Sequence, residues 1–147
     1  PVNAGVRPLQ MRSLNLDTLL GQRYEHATFH DSELQSLQLD FTSGSAKLQF
    51  QIPCGFLPGN ELNYRPGTLE FTGLLFYFVE PSVFSSQAND KQSLWITSDG
   101  SLPDEEIELS VELPRDLPEE AFVHYFYSST SNSFIVISAM QGAFHWH

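Results

Sequence analysis

The sequence lacks any long hydrophobic run. Its longest strongly apolar stretch, residues 74–79, has the length of a strand and falls far short of the ~20 residues that a membrane-spanning helix needs. Basic residues are scarce as well: seven Lys and Arg stand against 18 Asp and Glu, which gives a formal net charge of −11. Because nucleic acids and anionic membranes both attract clusters of Lys and Arg, this charge argues against either as a partner.

Cysteine is nearly absent, and the single Cys54 excludes an internal disulfide and a cysteine-rich zinc site. A nucleophilic thiol needs a basic or imidazole neighbour that lowers its pKa. The only Lys or Arg within ten residues of Cys54 is Lys47. We therefore expect Cys54 to be a buried structural thiol and not a nucleophile.

The 147 residues, 41% of them hydrophobic and 17% charged, suit one globular domain better than a disordered chain or a coiled coil. No internal repeat or linker divides residues 1–147, so we expect a single β-rich domain that begins with an irregular arm over residues 1–13. Residues 1–10 hold no apolar stretch followed by a cleavage site. We therefore expect a cytoplasmic protein, with export of a processed chain as the alternative.

One short helix is indicated near the N-terminus, over residues 14–20. Leu16, Leu19 and Leu20 share one helical face, Asn15 or Asp17 can lie in the first turn, and Gly21 supplies a stop signal. A helix this short needs contacts with other elements to be stable.

Strand patterns dominate the rest of the chain. Apolar and polar residues alternate over residues 37–41 and 46–52, and the Gly-containing turn at residues 42–45 predicts a β-hairpin between them. Residues 122–128 and 134–140 predict a second hairpin. Residues 107–113 alternate too, which predicts a half-buried strand with an acidic outer face.

Further patterns predict how these strands are covered. Residues 74–79 are apolar on both faces, which predicts a central strand with cover on both sides. Pro53 should end the first hairpin, residues 56–67 should form a long loop, and Asp99 and Gly100 should form a turn. Together these patterns predict a mainly β fold, an antiparallel sandwich or curved sheet of about seven strands with one short N-terminal helix. A single core should contain Leu34, Leu39, Phe50, Phe76, Leu109 and Val136.

The densest set of titratable side chains is His26, His30 and Asp31. A histidine oriented by a carboxylate can act as a general base or a metal ligand, and His30 with Asp31 supplies those residue types. Adjacent residues on a strand point to opposite faces, however, so Asp31 is not expected to support His30 directly. The structural interpretation is that Asp31 tightens the turn that enters the first strand while His30 packs at the domain edge.

A second histidine motif ends the chain at His145-Trp146-His147. On a strand, His145 and His147 would lie on one face about 6.6 Å apart, a spacing that can bind zinc or copper with a third ligand. The third ligand would come from His26, His30 or His124. The alternative is that two histidines at a chain end are incidental, and we expect no cofactor.

The strongest charge feature is an acidic stretch, in which eight of the 18 acidic residues fall within residues 104–120 and only Arg115 offsets them. Such a field steers a basic partner, and the candidate binding residues are Glu106, Glu108, Glu112 and Asp116. The alternatives are a solvated strand face, and a calcium site that would lack the usual Asp-x-Asp-x-Asp spacing. Aromatic residues in predicted loops or at the chain end could add a binding patch. These are Phe56, Tyr64, Phe84 and Trp146.

Residues 29–34, Phe-His-Asp-Ser-Glu-Leu, are followed by the first predicted hairpin. This opening resembles that of small bacterial β-rich families of unknown function that carry an N-terminal His-Asp motif. Some of these families resemble immunity proteins of polymorphic toxin systems, which are small acidic proteins that bind and neutralise a toxin domain. The resemblance implies a binding function and supplies no catalytic residues.

These observations favour a non-enzymatic protein-binding domain, immunity-like, that docks a basic protein through an acidic surface. The alternative is a small hydrolase or metal-dependent enzyme centred on His26, His30 and Asp31. A third possibility is a structural module of a larger assembly. We expect a monomer in preference to a homodimer, because a net charge of −11 opposes close approach of two copies.

Overall fold

The structure is a computed structural model that describes residues 12–83 and 93–147. These ranges contain nine β-strands, one 3₁₀ helix and no α-helix, which confirms the mainly β class. The 3₁₀ helix spans Leu16–Leu20. The strands are β1 Ser32–Asp40, β2 Ser45–Phe56, β3 Leu62–Thr72, β4 Phe76–Val79, β5 Leu94–Ile96, β6 Ser98–Ser101, β7 Phe122–Ser128, β8 Ser133–Ala139 and β9 Gln141–Trp146.

The strands form two antiparallel sheets, as the sandwich prediction requires. The first sheet has the strand order β5-β1-β2-β3-β9, and the second has the order β4-β8-β7-β6. Consecutive strands lie in different sheets at four points along the chain, namely β3 and β4, β4 and β5, β5 and β6, and β8 and β9. Between β5 and β6, Thr97 donates its N–H to the carbonyl of Tyr127 at 2.9 Å. Because such crossings divide continuous runs into pairs of short strands, there are more strands than the seven expected.

The first predicted hairpin is present as β1 and β2, with Leu37 opposite Leu48 and Leu39 opposite Ala46. Asp40 fixes its turn by accepting hydrogen bonds at Oδ1 from the backbone N–H groups of residues 42 and 43, at 3.0 and 3.1 Å. The bonds from Ser43 are the main reason that the pKa of Asp40 lies below its ordinary value. The last predicted hairpin is also present, as β7 and β8.

The predicted helix forms at the expected place as a single 3₁₀ segment. The side chain of Asn15 caps it by accepting from the N–H of Asp17 at 3.2 Å, and Gly21 ends it with a positive φ of 68°. Its buried side chains are Leu16 and Leu20, which supply the tertiary contacts that so short a helix needs. No helix in the described ranges is long and apolar enough to cross a membrane.

The main core lies between the two sheets. Its centre is aromatic: Phe29 lies 5.1 Å from Phe50 and 6.3 Å from Phe126 between ring centroids. The 3₁₀ helix packs into the same cluster. Phe29 comes from the loop before β1, so this loop is anchored in the core.

A second, separate core lies on the outer face of the second sheet. Its buried residues are Leu102, Val123, Tyr125 and Val136. Residues 102–121, here called the acidic loop, cover this face with the half-buried side chains of Ile107, Leu109, Leu113 and Leu117. The prediction of one core is therefore wrong. Leu34, Phe50 and Leu39 belong to the first cluster, whereas Val136, Phe76 and Leu109 belong to the second.

Two strand predictions are also wrong. Residues 74–79 do not form a central strand, because β4 has only four residues and lies at the edge of the second sheet. Tyr77 and Val79 are consequently exposed. Residues 107–113 form no strand, although all of them are described. Ile107, Leu109 and Leu113 are half-buried on the sheet beneath, whereas Val111 is exposed, so the apolar alternation does not mark one buried strand face. Pro103 and Pro114 beside the segment lack the N–H donors that a ladder requires.

Smaller differences affect the ends of strands. Pro53 does not end β2, which continues to Phe56. The predicted loop over residues 56–67 is short, because β3 already begins at Leu62. Asp99 and Gly100 belong to β6 and not to a turn. In each case pairing with a neighbouring strand overrides a local breaker signal.

Candidate functional site

Asp31 is held firmly at the entrance to β1. It has a positive φ of 66°, an uncommon conformation that Asp tolerates better than most residues. Its N–H donates to the carbonyl of Ile96 at 2.9 Å, and its carbonyl accepts from the Tyr64 hydroxyl at 3.1 Å. The indole N–H of Trp95 donates to Asp31 Oδ1 at 3.1 Å. Strands β3 and β5 therefore fix both the backbone and the carboxylate of this residue.

His30 lies against the same carboxylate, with Nε2 3.6 Å from Asp31 Oδ2. The expectation that the two side chains would diverge is wrong, because both residues precede the strand and Asp31 turns the chain in a left-handed conformation. His26, His30 and Asp31 line one cleft of about 530 Å³ with Phe56 and Leu62 on its wall. The His30 side chain is 63% exposed. This arrangement places an accessible imidazole beside an oriented carboxylate.

The terminal histidines lie on the first sheet. His147 Nε2 is 2.7 Å from Thr68 Oγ1, which in turn donates to Gln49 Oε1 at 2.8 Å. Since the single Thr68 hydroxyl proton goes to Gln49, His147 must donate its Nε2–H to Thr68. Within residues 12–83 and 93–147 no three His, Cys, Asp or Glu side chains form a group that could hold a metal ion. His145 and His147 thus have no third ligand in that part of the chain.

The acidic loop exposes its candidate binding residues to solvent. Glu106, Glu108, Glu112 and Asp116 are all exposed. The loop is also tied to the edge of the second sheet through Glu80. Glu80 accepts from the Ser110 hydroxyl at 2.9 Å and from the Phe134 N–H at 2.9 Å. The carboxylates are therefore presented on an anchored segment.

The pKa of the Tyr125 hydroxyl depends on the negative charges of this surface. Burial raises the pKa of its hydroxyl above the ordinary value, and the negative charges of nearby carboxylates raise it further. Those carboxylates belong to Asp104, Asp99 and Glu106. Gly100 allows the ring to lie close over β6, since a Cβ there would lie 2.9 Å from Tyr125 Cε2. Carboxylates of the acidic loop and of β6 thus lie near the same tyrosine.

Sequence reasoning missed a buried pair, His124 and Asp99. His124 Nε2 is 2.8 Å from Asp99 Oδ2, and the histidine is 1% exposed. Its Nδ1 has no hydrogen-bond partner in residues 12–83 and 93–147. The available signal was a histidine that alternates with Phe122 and Phe126 on a strand and therefore points into the core, where it needs a polar partner. The partner could not be identified, because Asp99 was assigned to a turn 25 residues away.

The remaining candidates have local structural roles. Cys54 is half-buried and donates its thiol to the carbonyl of Ile52 at 3.4 Å. Burial raises its pKa, with Arg65 acting in the opposite direction, which does not favour a nucleophilic thiolate. Trp146 donates its indole N–H to Leu20 at 3.0 Å and is half-buried, whereas Phe56 is strongly exposed. Phe84 lies outside the described residues.

No family model matches the sequence. No curated protein matches it either. Among solved structures, the chain is similar to an uncharacterized protein from Neisseria gonorrhoeae, with 16% sequence identity and a TM-score of 0.46 over 80% of this chain and 93% of that chain. A function for this chain is therefore argued from its own residues.

Proposed function

We propose that this chain is a monomeric, non-enzymatic protein-binding domain that docks a basic protein through the acidic loop. The observation that carries the proposal is the two-sided character of this segment. Its half-buried side chains anchor it on the second core, while its carboxylates face solvent. A surface of this kind offers charge on a fixed scaffold, so little ordering is needed when a partner binds.

Charge alone would steer a partner without holding it. The loop also carries Val111, whose side chain is 46% exposed in the middle of the acidic stretch. An apolar group surrounded by charge matches the usual arrangement of an interface, in which a dry contact is enclosed by a polar rim. Residues 29–34 resemble the opening of small bacterial β-rich families of unknown function, and some of these families resemble immunity proteins, which act by binding another protein.

The test compares two variants with the same change in net charge. Glu106, Glu108 and Glu112 are reversed to Lys in one, and Glu25, Glu33 and Glu61, which lie outside the loop, are reversed in the other. A basic partner is recovered by cross-linking to the full chain and purified, and its association is followed by stopped flow at several salt concentrations. We expect the loop reversal to lower the on-rate more than it raises the off-rate, because charges at an interface rim act mainly through steering.

Salt should slow association of the wild-type chain, since the screening length falls from about 10 Å at 0.1 M to about 3 Å at 1 M. The control reversal should change the on-rate much less. If both reversals lowered the on-rate equally, the acidic loop would affect association only through the net charge of the protein and not as a docking surface. An on-rate that neither salt nor the loop reversal changes would refute the proposal.

The cleft beside β1 supports a second candidate, a small hydrolase in which His30 acts as a general base and Asp31 orients it. The observation in its favour is the 3.6 Å approach of His30 Nε2 to a carboxylate that Trp95 holds in place. His30→Ala separates the two candidates. Loss of a hydrolytic activity at an unchanged melting temperature would favour the enzyme, whereas unchanged partner association favours the binding domain.

A further inference from the structure

A polar cleft of about 290 Å³ lies between the segment that carries the 3₁₀ helix and the edge strand β6. It is distinct from the cleft that contains His30. Its lining consists of Ser13, Leu14, Asn15, Leu16, Asp17, Asp99, Gly100, Ser101 and His124. The lining thus contains two carboxylates and one histidine, and none of the nine residues is a Lys or Arg.

In its neutral form, His124 contributes a buried acceptor to the lining. Its Nε2 lies 2.8 Å from Asp99 Oδ2, and a carboxylate can only accept, so the ring proton is on Nε2. In the neutral imidazole Nδ1 then carries a lone pair. That atom is buried and has no hydrogen-bond partner among the described residues. An unfilled acceptor next to a carboxylate favours a ligand that brings hydrogen-bond donors.

The polar groups of Asn15, Asp17 and Ser101 in the lining have hydrogen-bond partners within the protein. Asn15 caps the helix, and the carboxylate of Asp17 accepts from the Thr28 hydroxyl at 2.8 Å and from the Phe29 N–H at 2.9 Å. The Ser101 hydroxyl lies 3.4 Å from the carbonyl of Leu14. The cleft is therefore prebuilt, and His124 Nδ1, behind the carboxylate of Asp99, is the buried polar atom of its lining that has no partner among the described residues.

We infer that this cleft receives a donor-only cation, the ammonium or guanidinium group at the end of a Lys or Arg side chain of the basic partner. Both groups carry several N–H donors and no acceptor, which matches the lining. The inference rests on the proposed function for the source of the side chain. Charge and position agree with it, because β6 ends at Ser101 and leads directly into the acidic loop.

The test titrates the isolated full chain with three small probes while NMR follows the His124 ring and the Ser101 amide. The probes are N-acetyl-arginine amide, N-acetyl-lysine amide and the neutral N-acetyl-citrulline amide. We expect saturable shifts at both positions with at least one of the two cations and none with citrulline, because only the cations make charge-assisted bonds to Asp99. The inference would be overturned if neither cation produced saturable shifts, or if the neutral citrulline probe produced shifts as large as those of the cations.

Two variants test whether the probe binds in the cleft. Ser101→Val fills the cleft and leaves the His124–Asp99 pair intact, and Ser36→Val makes the same change at an exposed position of β1. Thermal melts establish that both variants fold. We expect Ser101→Val to weaken probe binding by about tenfold, the equivalent of one charge-assisted contact, and Ser36→Val to leave it unchanged. Equal binding by the two variants would refute the cleft as the site.

The inference and the proposed function fail separately. If the cations bind in the cleft but reversal of the acidic loop leaves partner association unchanged, the cleft stands and the loop proposal fails. If the loop reversal slows association but Ser101→Val changes neither probe binding nor the partner's off-rate, the cleft inference alone fails.

Discussion

The outer faces of the two sheets are built in opposite ways. On the first sheet the outward side chains are polar and open to water: Gln38 lies opposite Lys47, and Lys47 lies opposite Glu70 with 3.6 Å between Nζ and Oε2. On the second sheet Val136 points outward and is fully buried beneath the acidic loop. The first sheet is thus covered on one face only, whereas the second sheet is covered on both faces.

This difference shows why the acidic loop has two roles. A sheet with apolar residues on both faces needs a cover, and residues 102–121 provide it with the side chains of Leu102, Ile107, Leu109, Leu113 and Leu117. The intervening positions face solvent and are free to carry charge. Acidic residues at those positions therefore do not compete with packing, and the surface proposed for binding is added to a structural element.

The largest expected effect comes from placing a charge on each outer face. Val136→Asp would bury a carboxylate that has no partner and should lower the free energy of unfolding by about 3 kcal/mol or more. Gln38→Asp makes an exposed carboxylate opposite Lys47 and should be nearly neutral. Urea denaturation of both variants measures the difference. Similar stabilities would show that the second sheet is not covered in solution.

The sequence predicted the parts of this fold that local patterns determine. The β1–β2 hairpin follows from alternation around a glycine turn, and the short helix follows from the shared face of its leucines and its Gly21 stop. Assignment of residues 107–113 as a strand failed because Ile107, Leu109 and Leu113 are half-buried on the sheet without pairing to it, and Val111, which the alternation places on the same face, is exposed. The neighbouring prolines carried the distinguishing information.

The candidate sites were predictable only in part. The acidic surface was visible because eight charges lie close together in sequence. The contact of His30 with Asp31 was missed because the left-handed backbone of Asp31 is held by its N–H bond to the carbonyl of Ile96 and by the bond from the Tyr64 hydroxyl to its own carbonyl, and both partners lie far away in sequence. Long-range pairing of this kind leaves no local pattern, and the same is true of His124 and Asp99.

A smaller effect should follow from loosening the cover. Leu109→Ala removes a half-buried side chain that packs on the second core and should cost about 1 kcal/mol, roughly half the value of full burial. Val111→Ala, at an exposed position of the same loop, should change stability by a few tenths of a kcal/mol at most. Denaturant unfolding compares the two variants. Hydrogen exchange at Tyr125 and Val136 should quicken only in Leu109→Ala, and equal exchange in both would contradict the covering role of the loop.

The smallest effect is electrostatic and concerns Tyr125 beneath the cover. Burial and nearby carboxylates raise the pKa of its hydroxyl above 10.0, so the neutral form is favoured in the folded state. The stability that this shift contributes is fully present below pH 10.0 and is lost as the pH rises through the folded-state pKa. Glu106→Gln removes one of the responsible charges and should lower the pKa of Tyr125 toward its ordinary value, so that stability begins to level off at a lower pH. The titration is followed through the Tyr125 ring carbon by NMR, with Glu25→Gln as the control for net charge. An equal shift in both variants would mean that the acidic loop exerts no local field on the second sheet.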